Sequence, residues 1–205
     1  MTINMGIFVL ASFFINTICF YLSPIALFVI LFYSYTKRFT YLCHIVLGVG
    51  LSLAPIGAYL AVTGSFALLP LLFSLVVIFW VSGFDIIYAL QDIEFDKSQS
   101  LYSIPSYWGL HKALSIARVL HFFSAGFVIA AYFVGAFQFI YIIGLLVFVG
   151  MLLYQHSIVK PQDLSKVNIA FMTANGVASI VFSIFVITAL VIEMLASPQN
   201  FIHFN

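Results

Sequence analysis

The sequence predicts an all-α integral membrane protein, and three observations carry that prediction. Charged residues are scarce: seven Lys/Arg and six Asp/Glu among 205 residues, 6% of the chain, where about a quarter is usual in soluble proteins. The hydrophobic share is 64%, which leaves too little polar surface to cover a globule in water. The apolar stretches run unbroken for about twenty residues or more, the length that crosses a bilayer as helix. A barrel strand would place polar residues at alternate positions, so helices are the spanning element.

Taken in order, the runs are Gly6 to Tyr35, Tyr41 to Thr63, Phe66 to Leu90, Ala113 to Val134, Phe137 to Tyr154 and Ile169 to Leu195. The first is too long for one crossing and is interrupted by Asn16, Ser23 and Pro24, so it divides into two short or tilted helices. About seven crossings result. Gly64-Ser65 and Gly135-Ala136 read as two-residue turns between antiparallel neighbours. Met1 to Met5 carries no Lys or Arg, so the first run lacks the basic start of a secretory signal and reads as a retained segment. Pro55 with Gly48, Gly50 and Gly57 reads as a helix thinned or kinked for close packing, and Thr173 and Asn175 as hydrogen-bonding groups across the bundle.

The charges then set the topology. Lys37 and Arg38 follow the second helix, Asp92 to Lys97 and Lys112 lie between the fourth and fifth, and Lys160 to Lys166 lie between the sixth and seventh. With seven crossings these loops share one side, which the positive-inside rule makes the cytoplasm. The other side holds the two turns and a tail with Glu193 and His203. The expected location is the bacterial inner membrane, multi-pass, with its polar site facing the cytoplasm. No basic face suits a nucleic acid. Cys19 and Cys43 read as buried small hydrophobes, and His44, His111, His121 and His156 show no zinc or haem spacing.

The chemistry-bearing stretch is Gly83 to Lys97. On a continuous α-helix at 100° per residue, Asp85, Tyr88, Asp92 and Asp96 occupy an arc of about 80° on one face. Three carboxylates stacked there, Asp85 within the span, repel one another and need a cation. Hard oxygen ligands suit Mg²⁺, which shares its coordination with substrate phosphates. Read as a plain solvated connector, the stretch accounts for Glu94 and Lys97 but not for Asp85.

Asp85-x-x-Tyr88-x-x-x-Asp92-x-x-x-Asp96, followed by Tyr102-Ser103-Ile104-Pro105-x-x-x-Gly109, resembles the second aspartate-rich motif of the UbiA-type intramembrane prenyltransferases. A second block, Tyr33 to Thr40 with Leu47-Gly48, Ala54-Pro55-x-Gly57 and Ala61-Val62-Thr63-Gly64, is similar to the 4-hydroxybenzoate polyprenyltransferase branch. The resemblance covers residues 12 to 195. It implies a nine-helix bundle of which this chain, residues 1–205 as a single transmembrane domain incomplete at its N-terminus, supplies helices three to nine. The family's first motif, Asn-Asp-x-x-Asp-x-x-x-Asp, is not in the sequence, so a separately encoded N-terminal fragment is a possible partner.

The resemblance implies a Mg²⁺-dependent prenyltransferase of ubiquinone or menaquinone biosynthesis, moving a polyprenyl group from its diphosphate to an aromatic acid acceptor. By the same reading Asp92 and Asp96, with Asp85, hold the metal; Asp85 alternatively orients or deprotonates the acceptor, with Tyr88 beside it. Lys37 and Lys97 are candidates for the diphosphate, and Arg38 for the diphosphate or the acceptor carboxylate, its planar fork suiting the latter. A naphthoate-type acceptor and an inactive truncated or split membrane protein are the alternatives. A transporter would show internal repeats, and the carboxylate pattern is not repeated.

Overall fold

A computed structural model describes residues 2–196. The described residues form eight helices with a 3₁₀ and a π-helical segment. Helix α1 spans Thr2–Ile15 and α2 Thr17–Thr36. The divided first run is thus found, and Asn16 makes the division. Its backbone is extended, its side-chain oxygen accepts the Cys19 N–H at 2.9 Å, and its amide donates to the Leu60 carbonyl at 2.7 Å. Pro24 stays inside α2. Because proline has no N–H, the carbonyl of Phe20 loses its helical partner, and the Ser23 hydroxyl takes that carbonyl at 2.8 Å. Six helices are long and apolar enough to cross a membrane; α1, at 14 residues, spans about 21 Å of the roughly 30 Å of hydrocarbon.

Helix α3 (Cys43–Thr63) and α4 (Leu68–Tyr88) form the centre of the bundle. They pack tightly at Gly48, where an added Cβ would collide with Ser82 Oγ and lie 2.5 Å from the Ile78 carbonyl oxygen. Only glycine permits that contact, which is the close packing expected of this helix. The turns joining antiparallel neighbours are longer than the two residues expected. Four residues, 64–67, separate α3 from α4, with Gly64 in the left-handed conformation at φ 67° as the helix cap.

After α4 the chain tightens into a 3₁₀ turn, Ala89–Asp92, and then a short helix α5, Ile93–Ser98. Helix α6 (Ile104–Val134) starts nine residues before the expected Ala113, because Ser103 and Ser106 form a reciprocal cap and Gly109, at φ 76°, breaks the helix between Ile104 and the long span. Helix α7 is Phe139–Ile158. The last span opens with a π-helical turn, Ile169–Ala174, and continues as α8, Asn175–Ala196. The expected hydrogen bonding at Asn175 is present: its side-chain oxygen accepts from Trp80 Nε1 at 3.1 Å and Gln155 Nε2 at 2.7 Å, joining α4, α7 and α8.

The three charge-bearing loops do share one end. The Tyr102 N–H donates to the Lys37 carbonyl at 2.7 Å. Val159 and Val167, from the loop after α7, pack with Ile86, Leu90 and Ile104. In that loop Asp163 accepts from the hydroxyl and N–H of Ser165 at 2.6 and 3.0 Å, which holds its carboxyl below the usual range. A second apolar cluster, around Val76, Val128, Tyr141 and Phe148, fills the opposite half. Phe14, Phe28, Phe122, Phe133 and Phe139 are exposed, as helices in contact with lipid require. His203 of the tail lies outside the described residues.

Candidate functional site

The continuous α-helical face expected from Asp85 to Asp96 is not what the chain builds. A 3₁₀ turn advances about 120° per residue instead of 100°, so the four residues Ala89–Asp92 rotate everything after them by about 80°. Asp85 and Tyr88 stay on α4, Asp92 closes the 3₁₀ turn, and Asp96 turns inward on α5. Among the described residues no three His, Cys, Asp or Glu side chains are gathered as for a metal.

The rotation pairs the carboxylates individually. Asp96 is buried, 1% exposed, and both its oxygens meet Lys37 Nζ, at 3.2 and 3.3 Å. Lys37 caps the end of α2, and its side chain is one-third exposed. Asp85 bonds through Oδ2 to His44 Nδ1 at 2.6 Å. Asp92 is half-buried and makes no hydrogen bond among the described residues. Tyr102 links the two pairs, its N–H donating to the Lys37 carbonyl and its own carbonyl meeting the Sγ of Cys43 beside His44, so the end of α2, the start of α3, the end of α4 and α5 form one polar locus. Cys43 itself is the small buried group expected, its Sγ 3.7 Å from the Tyr102 carbonyl.

Arg38 and Lys97 lie outside this locus. Arg38 is exposed, with its guanidinium 5.5 Å above the Tyr35 ring. Lys97 is exposed on α5. Tyr88 stacks on Phe171, the ring centroids 4.1 Å apart.

Two parts of the site have no signature in the sequence. One is His44, which is 41 residues from Asp85 and shares no motif with it. The other is an aromatic column: Tyr88 on Phe171, Phe171 on Phe84 at 5.5 Å, and Phe84 on Trp80 at 5.7 Å. Phe171 sits on the π-helical turn, a distortion that recurs at functional sites and here delivers the ring to α4. With 24 Phe in the chain, composition alone could not single it out. The column ends at a chamber of about 600 Å³ lined by Tyr59, Phe73, Val77, Trp80, Phe148 and Phe182. Charged groups at one end of α4 are thereby joined by aromatic rings, meeting tilted or edge-on, to a largely apolar volume at the other.

Residues 1–194 match the family model of the UbiA prenyltransferases. A 4-hydroxybenzoate octaprenyltransferase of Nitrosospira multiformis is 28% identical over 180 residues, covering 86% of this chain and 61% of that protein. One of Francisella tularensis is 25% identical over 182 residues, covering 89% and 63%. The chain thus spans somewhat under two-thirds of the length of these relatives. The apo structure of a UbiA homologue from Aeropyrum pernix K1 superposes with a TM-score of 0.82 at 26% identity, covering 92% of this chain and 70% of the other.

Proposed function

Given that the chain belongs to the UbiA prenyltransferase family, we propose that it carries the second-motif half of a site that transfers a polyprenyl group from its diphosphate to a ring carbon of an aromatic acceptor of the 4-hydroxybenzoate type. The observation that carries the reading is the joining of carboxylates and a lysine to a largely apolar chamber by a row of aromatic rings in tilted and edge-on contact. That arrangement matches a substrate with an anionic head, a reacting carbon and a long hydrocarbon tail, in that order.

Two carboxylates fit a divalent cation. Asp92 is a hard oxygen donor with no hydrogen bond among the described residues, and Asp96 is held by a single ammonium. Asp92 and Asp96 would hold Mg²⁺ together with substrate oxygens. Bound there, the ion supplies charge neutralisation to the leaving diphosphate. Lys37, whose ammonium stands beside Asp96, would add its charge to the neutralisation of the diphosphate. In this reading Lys97 would add charge from the exposed side and Arg38 would meet an acceptor carboxylate, each reaching in from outside the carboxylate locus.

The C–O bond breaks with its electron pair leaving on the diphosphate, and the allylic cation that remains sits beside the π faces of Tyr88, Phe171 and Phe84, which favour positive charge. A ring π pair forms the C–C bond, and the ring proton passes to Asp85, restoring aromaticity. The charged end, by the excess of Lys and Arg there, faces the cytoplasm of a bacterial inner membrane.

The test is prenyl transfer by membranes containing the chain, with labelled polyprenyl diphosphate and 4-hydroxybenzoate. Asp92→Ala is expected to lower transfer by about 10²- to 10³-fold, the scale of losing a charge-stabilising group, and chelation of divalent cations to stop it. Transfer indifferent to both would sink the assignment.

A further inference from the structure

We infer that His44 is a positioning residue that fixes which oxygen of Asp85 faces the reacting ring; this rests on the transferase reading above. His44 is fully buried, and an imidazole buried in a span needs partners for both nitrogens. Nε2 lies 3.3 Å from the backbone nitrogen of Ile104 and Nδ1 lies 2.6 Å from Asp85 Oδ2.

These two partners determine the tautomer. Ile104 is the first residue of α6, and a first-turn N–H has no acceptor within its own helix. The Ser103 hydroxyl takes the Ser106 N–H at 3.2 Å, which leaves the N–H of Ile104 to His44. A backbone N–H only donates, so Nε2 carries the lone pair. The ring proton therefore resides on Nδ1 and is donated to Oδ2. In this way the N-terminus of α6 specifies, through the imidazole, the rotamer of a carboxylate on α4.

The sequence supplies the approach that makes this possible. Gly48 lies one turn beyond His44 on α3, and Ser82 lies three residues before Asp85 on α4. The contact of Gly48 with Ser82 and Ile78 draws the two antiparallel helices together and brings the ring within reach of the carboxylate. Oδ1 of Asp85 makes no hydrogen bond among the described residues, and the side chain is 18% exposed. With Oδ2 tied, Oδ1 is the oxygen left to take the proton that the acceptor ring releases.

Two measurements on the full chain test this. In detergent micelles, ¹⁵N spectra of histidine-labelled protein, assigned by loss of the signal in His44→Gln, should show a ring protonated on Nδ1 whose proton resonance moves upfield in Asp85→Asn. A ring protonated on Nε2, or a resonance unmoved by Asp85→Asn, would overturn the inference. In the transfer assay, His44→Ala should lower kcat by about 10- to 100-fold, as loss of an orienting partner does, with KM for the prenyl diphosphate changed less than about twofold. His44→Asn, whose amide donates from near the Nδ1 position, should restore most of kcat. In an Asp85→Asn background His44→Ala should cost little more; an undiminished loss there would show that His44 acts without Asp85. Absence of transfer by the wild type would remove the transferase reading, and the tautomer measurement would still decide His44.

Discussion

Helix α4 carries two regions that solve opposite problems. Around Asp85 and on into α5, charges are held one pair at a time: Asp85 by His44 and Asp96 by Lys37. Between Phe73 and Trp80 the same helix lines a largely apolar chamber, with Ser179, Ser183 and Glu193 as the polar exceptions among its lining residues. The difference teaches where specificity resides. A carboxylate in a span is costly until paired, so each pair at the charged end fixes one geometry. An apolar wall offers a guest little directional contact, so a tail bound there would be selected mainly by size.

The comparison breaks most sharply at Lys37. Lys37→Met leaves Asp96 buried without its cation and is expected to cost about 3 kcal/mol, read as a lower midpoint of thermal unfolding in detergent. Replacing both, Lys37→Met with Asp96→Leu, should recover most of that loss while transfer stays absent. A single variant as stable as wild type would show that the pair adds nothing to the fold. A smaller effect is expected where the two regions meet. Phe171→Leu keeps the volume but removes the π face, for about 1 kcal/mol and so about fivefold in kcat, with KM nearly constant; an equal change in both would make the ring a binding wall only. The smallest effect belongs to the chamber. Val77→Phe should shift preference toward shorter prenyl chains by a few-fold without altering dependence on divalent cations, and an unchanged chain-length profile would separate the chamber from the tail.

A second buried histidine contact clarifies why His44 escapes a reading of motifs. His121 Nδ1 lies 2.9 Å from His156 Nε2, joining α6 to α7. Neither histidine pairing has a spacing that repeats along a helix, because each partner comes from a different span. The same holds for Lys37 and Asp96, 59 residues apart. Each was legible as a charge at the charged end, and only packing shows that they neutralise one another. The aspartate spacing was legible as a motif; its geometry was not, since four residues of 3₁₀ turn, Ala89–Asp92, undo the face that an unbroken α-helix would present. Ala89 and Leu90 of that turn are both buried, and spacing does not report the local backbone.

By itself the sequence determined what depends on composition and short-range pattern. Thirteen charges, seven basic and six acidic, in 205 residues require a lipid environment and hence helices, because backbone polar groups in hydrocarbon are satisfied only within the segment. The positions of Lys and Arg gather the polar loops at one end, and the aspartates mark the same end. Tertiary structure alone decided which groups face one another: His44 with Asp85, Lys37 with Asp96, Phe171 with Tyr88. The physical reason is that a hydrogen bond or an ion pair depends on distances below about 4 Å, and in a bundle those distances are set by how closely helices approach, here at Gly48.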